Sequence, residues 1–192
     1  MNKSIDIPNL YRRMKDLLIR PHKIWPIVYG EKNSVRNLFR TYLIPVAALS
    51  SVAVLLSILQ YTVLQTLCYT IINFVSVIAG TYVAFLFSRE YLNGKLRQPE
   101  NTALTLTVYS ASVFIVFHSV SVAFVSGFFS QLATLISLVF LKTLYTGIHT
   151  IPALQPSQKT NILIISGLSI ICIPIILKKF LMILFHIPAF NL

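Results

Sequence analysis

Two long stretches without a single charge govern what this chain can fold into. No Asp, Glu, Lys or Arg occurs from Thr41 to Ser88, and none from Asn101 to Leu141. A soluble domain carries about a quarter charged residues. Here the fraction is 11%, with 56% hydrophobic residues and a mean hydropathy of +0.77. Runs of this length cannot be buried inside a protein of 192 residues, so they read as membrane spans. A soluble globular enzyme, a disordered chain and a collagen-like fibre are excluded.

Length divides the runs. As one helix, 41–88 would reach roughly 70 Å, over twice the ~30 Å hydrocarbon core, so it folds back once. The polar Gln60-Tyr61-Thr62 is the natural turn. The second run breaks at Ser126-Gly127 by the same argument. The sequence predicts an all-α, polytopic transmembrane bundle of five spans, at about 41–59, 63–87, 104–125, 129–149 and 161–177. Span five closes at Lys178-Lys179, and the tail 180–192 either extends it or lies in the interface. Pro45 and Pro174 each free a carbonyl and kink their spans. The first apolar run begins too late for a cleavable signal peptide, so span one is expected to be retained as its own insertion signal.

Residues 1–40 form a basic lead to the membrane domain 41–192, with nine of the 16 Lys and Arg. Within it Leu10, Met14, Leu17 and Leu18 line one face of a helix that Pro8 opens and Pro21 ends. Such a helix either lies on an anionic membrane surface or packs on the bundle's own inner face. Trp25 and Tyr29 suit the headgroup level. With the N-terminus inside, fourteen Lys and Arg fall on the inner side and two, Lys178 and Lys179, on the outer. The expected topology is N-terminus cytoplasmic and C-terminus outside, in a cell membrane. Orientation thus accounts for the net charge of +11, and no nucleic-acid partner is expected. Cys68 and Cys172 sit in apolar runs and read as small buried thiols.

The spans hold no Asp or Glu, the groups that proton relays and aspartyl intramembrane proteases require. No metal-ligand spacing and no phosphate-binding glycine loop occurs, so neither catalytic residues nor a cofactor are expected. A serine–histidine hydrolase built on Ser169, His118 and His149 lacks a motif. Lys142, inside span four, reads as a snorkelling side chain or as an anion or lipid-headgroup site. His118 reads as structural, satisfied by Ser119 or Ser121, and Gln65, Asn73 and Gln131 as interhelical hydrogen-bond partners. Asn73, His118, Gln131 and Lys142 would line a polar cavity if they converged. Two small-residue ladders, Ser76–Gly80–Ala84 and Ser119–Ala123–Gly127, predict close helix packing within the chain or with a partner.

The lead Leu17-Leu18-Ile19-Arg20-Pro21-His22-Lys23-Ile24-Trp25-Pro26-Ile27, followed by Tyr42-Leu43-Ile44-Pro45-Val46-Ala47-Ala48-Leu49, resembles the start of the Yip-type membrane domain. This is the family of Ypt/Rab-interacting proteins and their bacterial relatives. Gly94, Tyr109-Ser110 and Leu144-Tyr145-Thr146-Gly147-Ile148 are similar too. The resemblance implies five spans, N-terminus inside and C-terminus outside, in the bacterial branch, with no catalytic residues. The eukaryotic aspartate–leucine–tyrosine–glycine–proline signature is absent, so a small-GTPase role is not implied.

The function that follows is a non-enzymatic membrane scaffold or adaptor, or a protein of membrane organisation. Its contacts would be anionic headgroups and a membrane-protein partner or second copy, through Arg12, Arg13, Lys15, Arg20, Lys23 and Trp25. The alternative is a transporter or channel for a neutral or lipidic substrate, using the polar cavity.

Overall fold

The computed structural model describes residues 7–31, 33–59, 62–124 and 127–187. Gln60, Tyr61 and Ser126, at the two expected breaks, and residues 188–192 of the tail lie outside them. The described residues are helical with short connections and no strand. The order is α1 (Ile7–Ile19), α2 (Pro21–Gly30), α3 (Val35–Leu38), α4 (Ile44–Val54), α5 (Val63–Leu92), α6 (Pro99–Ala123), α7 (Gly127–Ser137), α8 (Val139–His149) and α9 (Pro156–Leu184). Five segments are long and apolar enough to cross a membrane: Val35–Ser57, Val63–Leu92, Pro99–Ser121, Gly127–His149 and Pro156–Leu184. These are the five spans expected, with shifted ends: all but the second begin earlier, the second and fifth run on further, and the first and third stop sooner.

Proline and cap chemistry set the local breaks. Pro45 has no N–H to offer the carbonyl one turn before it, and the preceding turn, Phe39–Leu43, widens to π-helical geometry, with the Ile44 N–H reaching Phe39 O. Thr62 caps α5 in a reciprocal pair: its hydroxyl accepts from the Gln65 N–H at 3.4 Å while Gln65 Oε1 accepts from the Thr62 N–H at 3.3 Å. Gln65 is therefore a cap of its own helix and not an interhelical partner. Span four is two helices, α7 and α8. They meet at Leu138, whose N–H bonds to the carbonyl three residues back, Leu135 O, at 3.1 Å. Span five does not close at Lys178; α9 runs through it to Leu184 because Phe180–Leu184 continues the apolar helix.

Helix α6 is the axis of the bundle. Every residue from Ala103 to Ile115 is buried, and 78% of its most apolar stretch is covered, against 50% or less in the other spans. A helix without a solvent or lipid face must be enclosed on all sides. Around it stand α4, α5, α7–α8 and α9, and at one end α1 and α2 complete the enclosure.

Hydroxyls stitch the wall to the axis. Thr107 Oγ1 donates to Ser88 Oγ at 3.2 Å, and Ser88 Oγ lies 2.8 Å from Ser166 Oγ, so one chain of hydroxyls crosses α6, α5 and α9. The first small-residue ladder, Ser76, Gly80 and Ala84, is buried and continues to Ser88. It meets α9 of the same chain: a Cβ at Gly80 would stand 2.6 Å from Pro174 Cγ and 2.8 Å from its Cα. The second ladder is shorter than expected. Ser119 and Ala123 are buried on α6, but Gly127 opens α7 with φ +53 and open space around its Cα. The turn between the helices needs a left-handed residue there, so Gly127 serves the turn and not the packing.

Candidate functional site

Three features bear on function: a docked N-terminal cap, the basic face it leaves free, and a polar cluster inside the bundle. The cap is built from the apolar face of α1. Leu10 and Leu17 are buried, and Met14 and Leu18 pack on the same core. Of the two placements open to this helix, the structure shows it packed on the bundle, against α6 and α8.

Helix α2 fixes the cap in place. Trp25 is fully buried, so it is not a headgroup anchor. Its indole Nε1–H donates to Thr143 O at 3.0 Å, its ring stacks on Tyr29 at 5.2 Å, and its edge faces Tyr109. A Cβ at Gly147 would come within 2.6 Å of the Trp25 ring, so the missing side chain makes room for the indole. Tyr29 Oη donates to Gly147 O at 3.2 Å, and burial pushes its phenol well above the ordinary tyrosine pKa.

A charged clasp closes the cap. Arg13 donates to both oxygens of Glu31, at 2.9 and 2.5 Å, and to Tyr109 Oη at 2.7 Å. The bidentate Glu31 contact holds the guanidinium above its already high pKa, against the opposing effect of burial. Arg13 is thus spent internally and is not part of the basic surface. Arg12, Lys15, Arg20 and Lys23 are exposed and form it. Near them at the same end lie Arg89, Lys95 and Arg97, and Lys159, whose Nζ donates to His149 O at 3.5 Å.

The polar set expected to line one cavity divides. Asn73 reaches α6 through Ser119, its Nδ2 donating to Ser119 Oγ at 3.2 Å, while His118 stacks its ring on Phe114 at 5.0 Å and bonds to neither Ser119 nor Ser121, whose hydroxyl goes to Ser130 and Thr134. Gln131 and Lys142 do not join them. Both are exposed on the outer faces of α7 and α8, because the break at Leu138 turns other residues of span four inward. Exposure of Lys142 fits the snorkelling reading. Cys68 is half-buried and Cys172 exposed, so neither is the buried thiol expected. No group of three His, Cys, Asp or Glu that could hold a metal occurs among the described residues.

The sequence reading missed Lys178. It is only 5% exposed and lies on the buried face of α9 with Ile162, Ser166, Ile170, Pro174 and Met182. These recur every four residues, and counting on from Ser166 reaches Lys178. That count was the available signal. Reading Lys178-Lys179 as a helix end concealed it.

Comparison with known proteins finds no family model, no curated protein and no solved structure that matches the chain. By its own residues the chain is an integral membrane protein of the all-α, five-span class.

Proposed function

We propose that the chain is a non-enzymatic membrane scaffold of the Yip-type family, bacterial branch, that holds a rigid basic platform against the cytoplasmic leaflet. The observation that carries this reading is the division of labour within the cap. Trp25, Leu17 and the Arg13–Glu31–Tyr109 clasp face the bundle, while Arg12, Lys15, Arg20 and Lys23 face outward. Each cation close to an anionic leaflet contributes about 1 kcal/mol. Four of them on a preordered support attract such a surface without ordering a flexible segment first. The excess of Lys and Arg at this end supports a cytoplasmic N-terminus and an external C-terminus.

The test is capture in mild detergent from native membranes, with mass spectrometry of co-purifying lipids and proteins. Reversal of Arg12, Lys15, Arg20 and Lys23 to Glu is expected to strip the anionic lipid, and any partner held by this face, while leaving the bundle folded. An unchanged complement of lipids and partners in the reversed variant contradicts the reading.

A further inference from the structure

Lys178 presents a problem of charge balance. Among the described residues the acidic side chains are Asp16 on α1, Glu31 just after α2, Glu90 in the last turn of α5 and Glu100 in the first turn of α6. Lys178 lies far along α9 from these groups, and no ion pair or hydrogen bond involves it among the described residues. A buried ammonium without a partner is costly, and more so in a membrane.

Among the described residues, hydroxyl, amide and imidazole groups lie around Lys178 and no carboxylate does. Gly80 meets Pro174, and Ser88 meets Ser166, so α5 and α9 run antiparallel with a fixed register. One turn beyond Gly80 is Ser76, and one turn beyond Pro174 is Lys178, so these two face each other. The Ser76 hydroxyl is buried and has no hydrogen-bond partner. On the third side α6 brings His118, within electrostatic reach of Lys178, and Ser119, which is tied to Asn73. The Ser76 oxygen does not accept from the ammonium, so at this level the Lys178 N–H groups and the Ser76 O–H are all donors left without an acceptor.

We propose that Lys178 and Ser76 form a buried anion site between α5 and α9 that takes one singly charged acceptor group. Its source is either a small free anion such as chloride or the phosphodiester of an anionic lipid, the chemistry being the same. The site is separate from the basic cap.

The test uses the full-length protein in nanodiscs of zwitterionic lipid, in chloride-free gluconate buffer. Unfolding is followed through Trp25, the single tryptophan. Chloride is titrated at constant ionic strength, and in a second arm phosphatidylglycerol is added without chloride. A saturable rise in Tm with chloride that is lost in Lys178→Met establishes the site with a free anion. A rise with phosphatidylglycerol alone, lost in the same variant, establishes it with a lipid headgroup. Ser76→Ala is expected to fold and to need roughly 5-fold more of the effective anion, the loss of one hydrogen bond. The proposal is overturned if neither anion stabilises the wild type, or if Lys178→Met responds as the wild type does. Should Lys178→Met fail to fold, an unaltered midpoint in Ser76→Ala overturns it.

Discussion

A methyl group at position 80 would stand 2.6–2.8 Å from the ring and backbone of Pro174. Backbone does not yield as the end of a flexible side chain does, so α5 and α9 must part. Gly80→Ala is expected to destabilise the bundle by about 1–3 kcal/mol, the usual cost of overpacking. Thermal unfolding in detergent measures this, and a Tm equal to the wild type's would show that the helices do not meet as described. The clasp makes a second demand on single residues. Glu31→Gln leaves Arg13 with the Tyr109 hydroxyl and a neutral amide. Because both charged side chains are about one-third exposed, at 32% and 31%, solvent screens the loss, and the expected cost is at most about 1 kcal/mol. Tyr109→Phe should cost no more. The double variant should cost less than the sum, since the two share one guanidinium.

Among the elements, α6 explains most of the architecture. Its buried stretch carries Thr105, Thr107, Ser110 and Ser112, small hydroxyl residues that let five neighbours approach. Ser88 of α5 accepts from Thr107 at one such approach and bonds in turn to Ser166 of α9. A double-mutant cycle with alanine in place of Ser88 and Ser166 is expected to show coupling of about 0.6 kcal/mol, the average for hydrogen bonds between membrane helices. Zero coupling would remove α5–α9 register as a hydrogen-bonded feature. The cap is the element with most at stake. Trp25→Ala removes a fully buried indole, at a cost of about 3–5 kcal/mol. That is enough to free α1 and α2, so trypsin should cut after Lys23 at least ~10-fold faster than in wild type. Unchanged cleavage would place the anchor elsewhere.

The spans were legible because the absence of charge over Thr41–Ser88 and Asn101–Leu141 leaves lipid as the only consistent solvent. The apolar face of α1 was legible from its four-residue spacing, yet not its destination. Surface and bundle are both apolar, and only Gly147, over a hundred residues away, makes room for Trp25. The same blindness to distant partners hid the Arg13 clasp and the pairing of Gly80 with Pro174. It also grouped Gln131 and Lys142 with Asn73, since composition does not reveal how the break at Leu138 rotates the faces of span four.

At the scale of the whole molecule, the exposed surface of the bundle is apolar. Leu49, Val52 and Leu56 on span one, Ile71 and Val75 on α5, Phe129 and Leu132 on α7, and Ile176 and Phe180 on α9 all face outward. Most of the charged groups gather at the end of the bundle that α1 and α2 cap, on and around these two helices. This polarity fits a protein that spans the bilayer and presents one worked surface. The claim on which that surface depends is that residues of α1 and α2 are fixed to the bundle before anything binds them. Hydrogen exchange of the full-length protein in zwitterionic nanodiscs measures it directly. Amides of α1 and α2 are expected to be protected to the level of the outer helices, with no anionic lipid present, and Trp25→Ala should release them together. Exchange of these amides at the rate of an unstructured chain in the wild type would contradict a docked cap, and with it the scaffold built upon it.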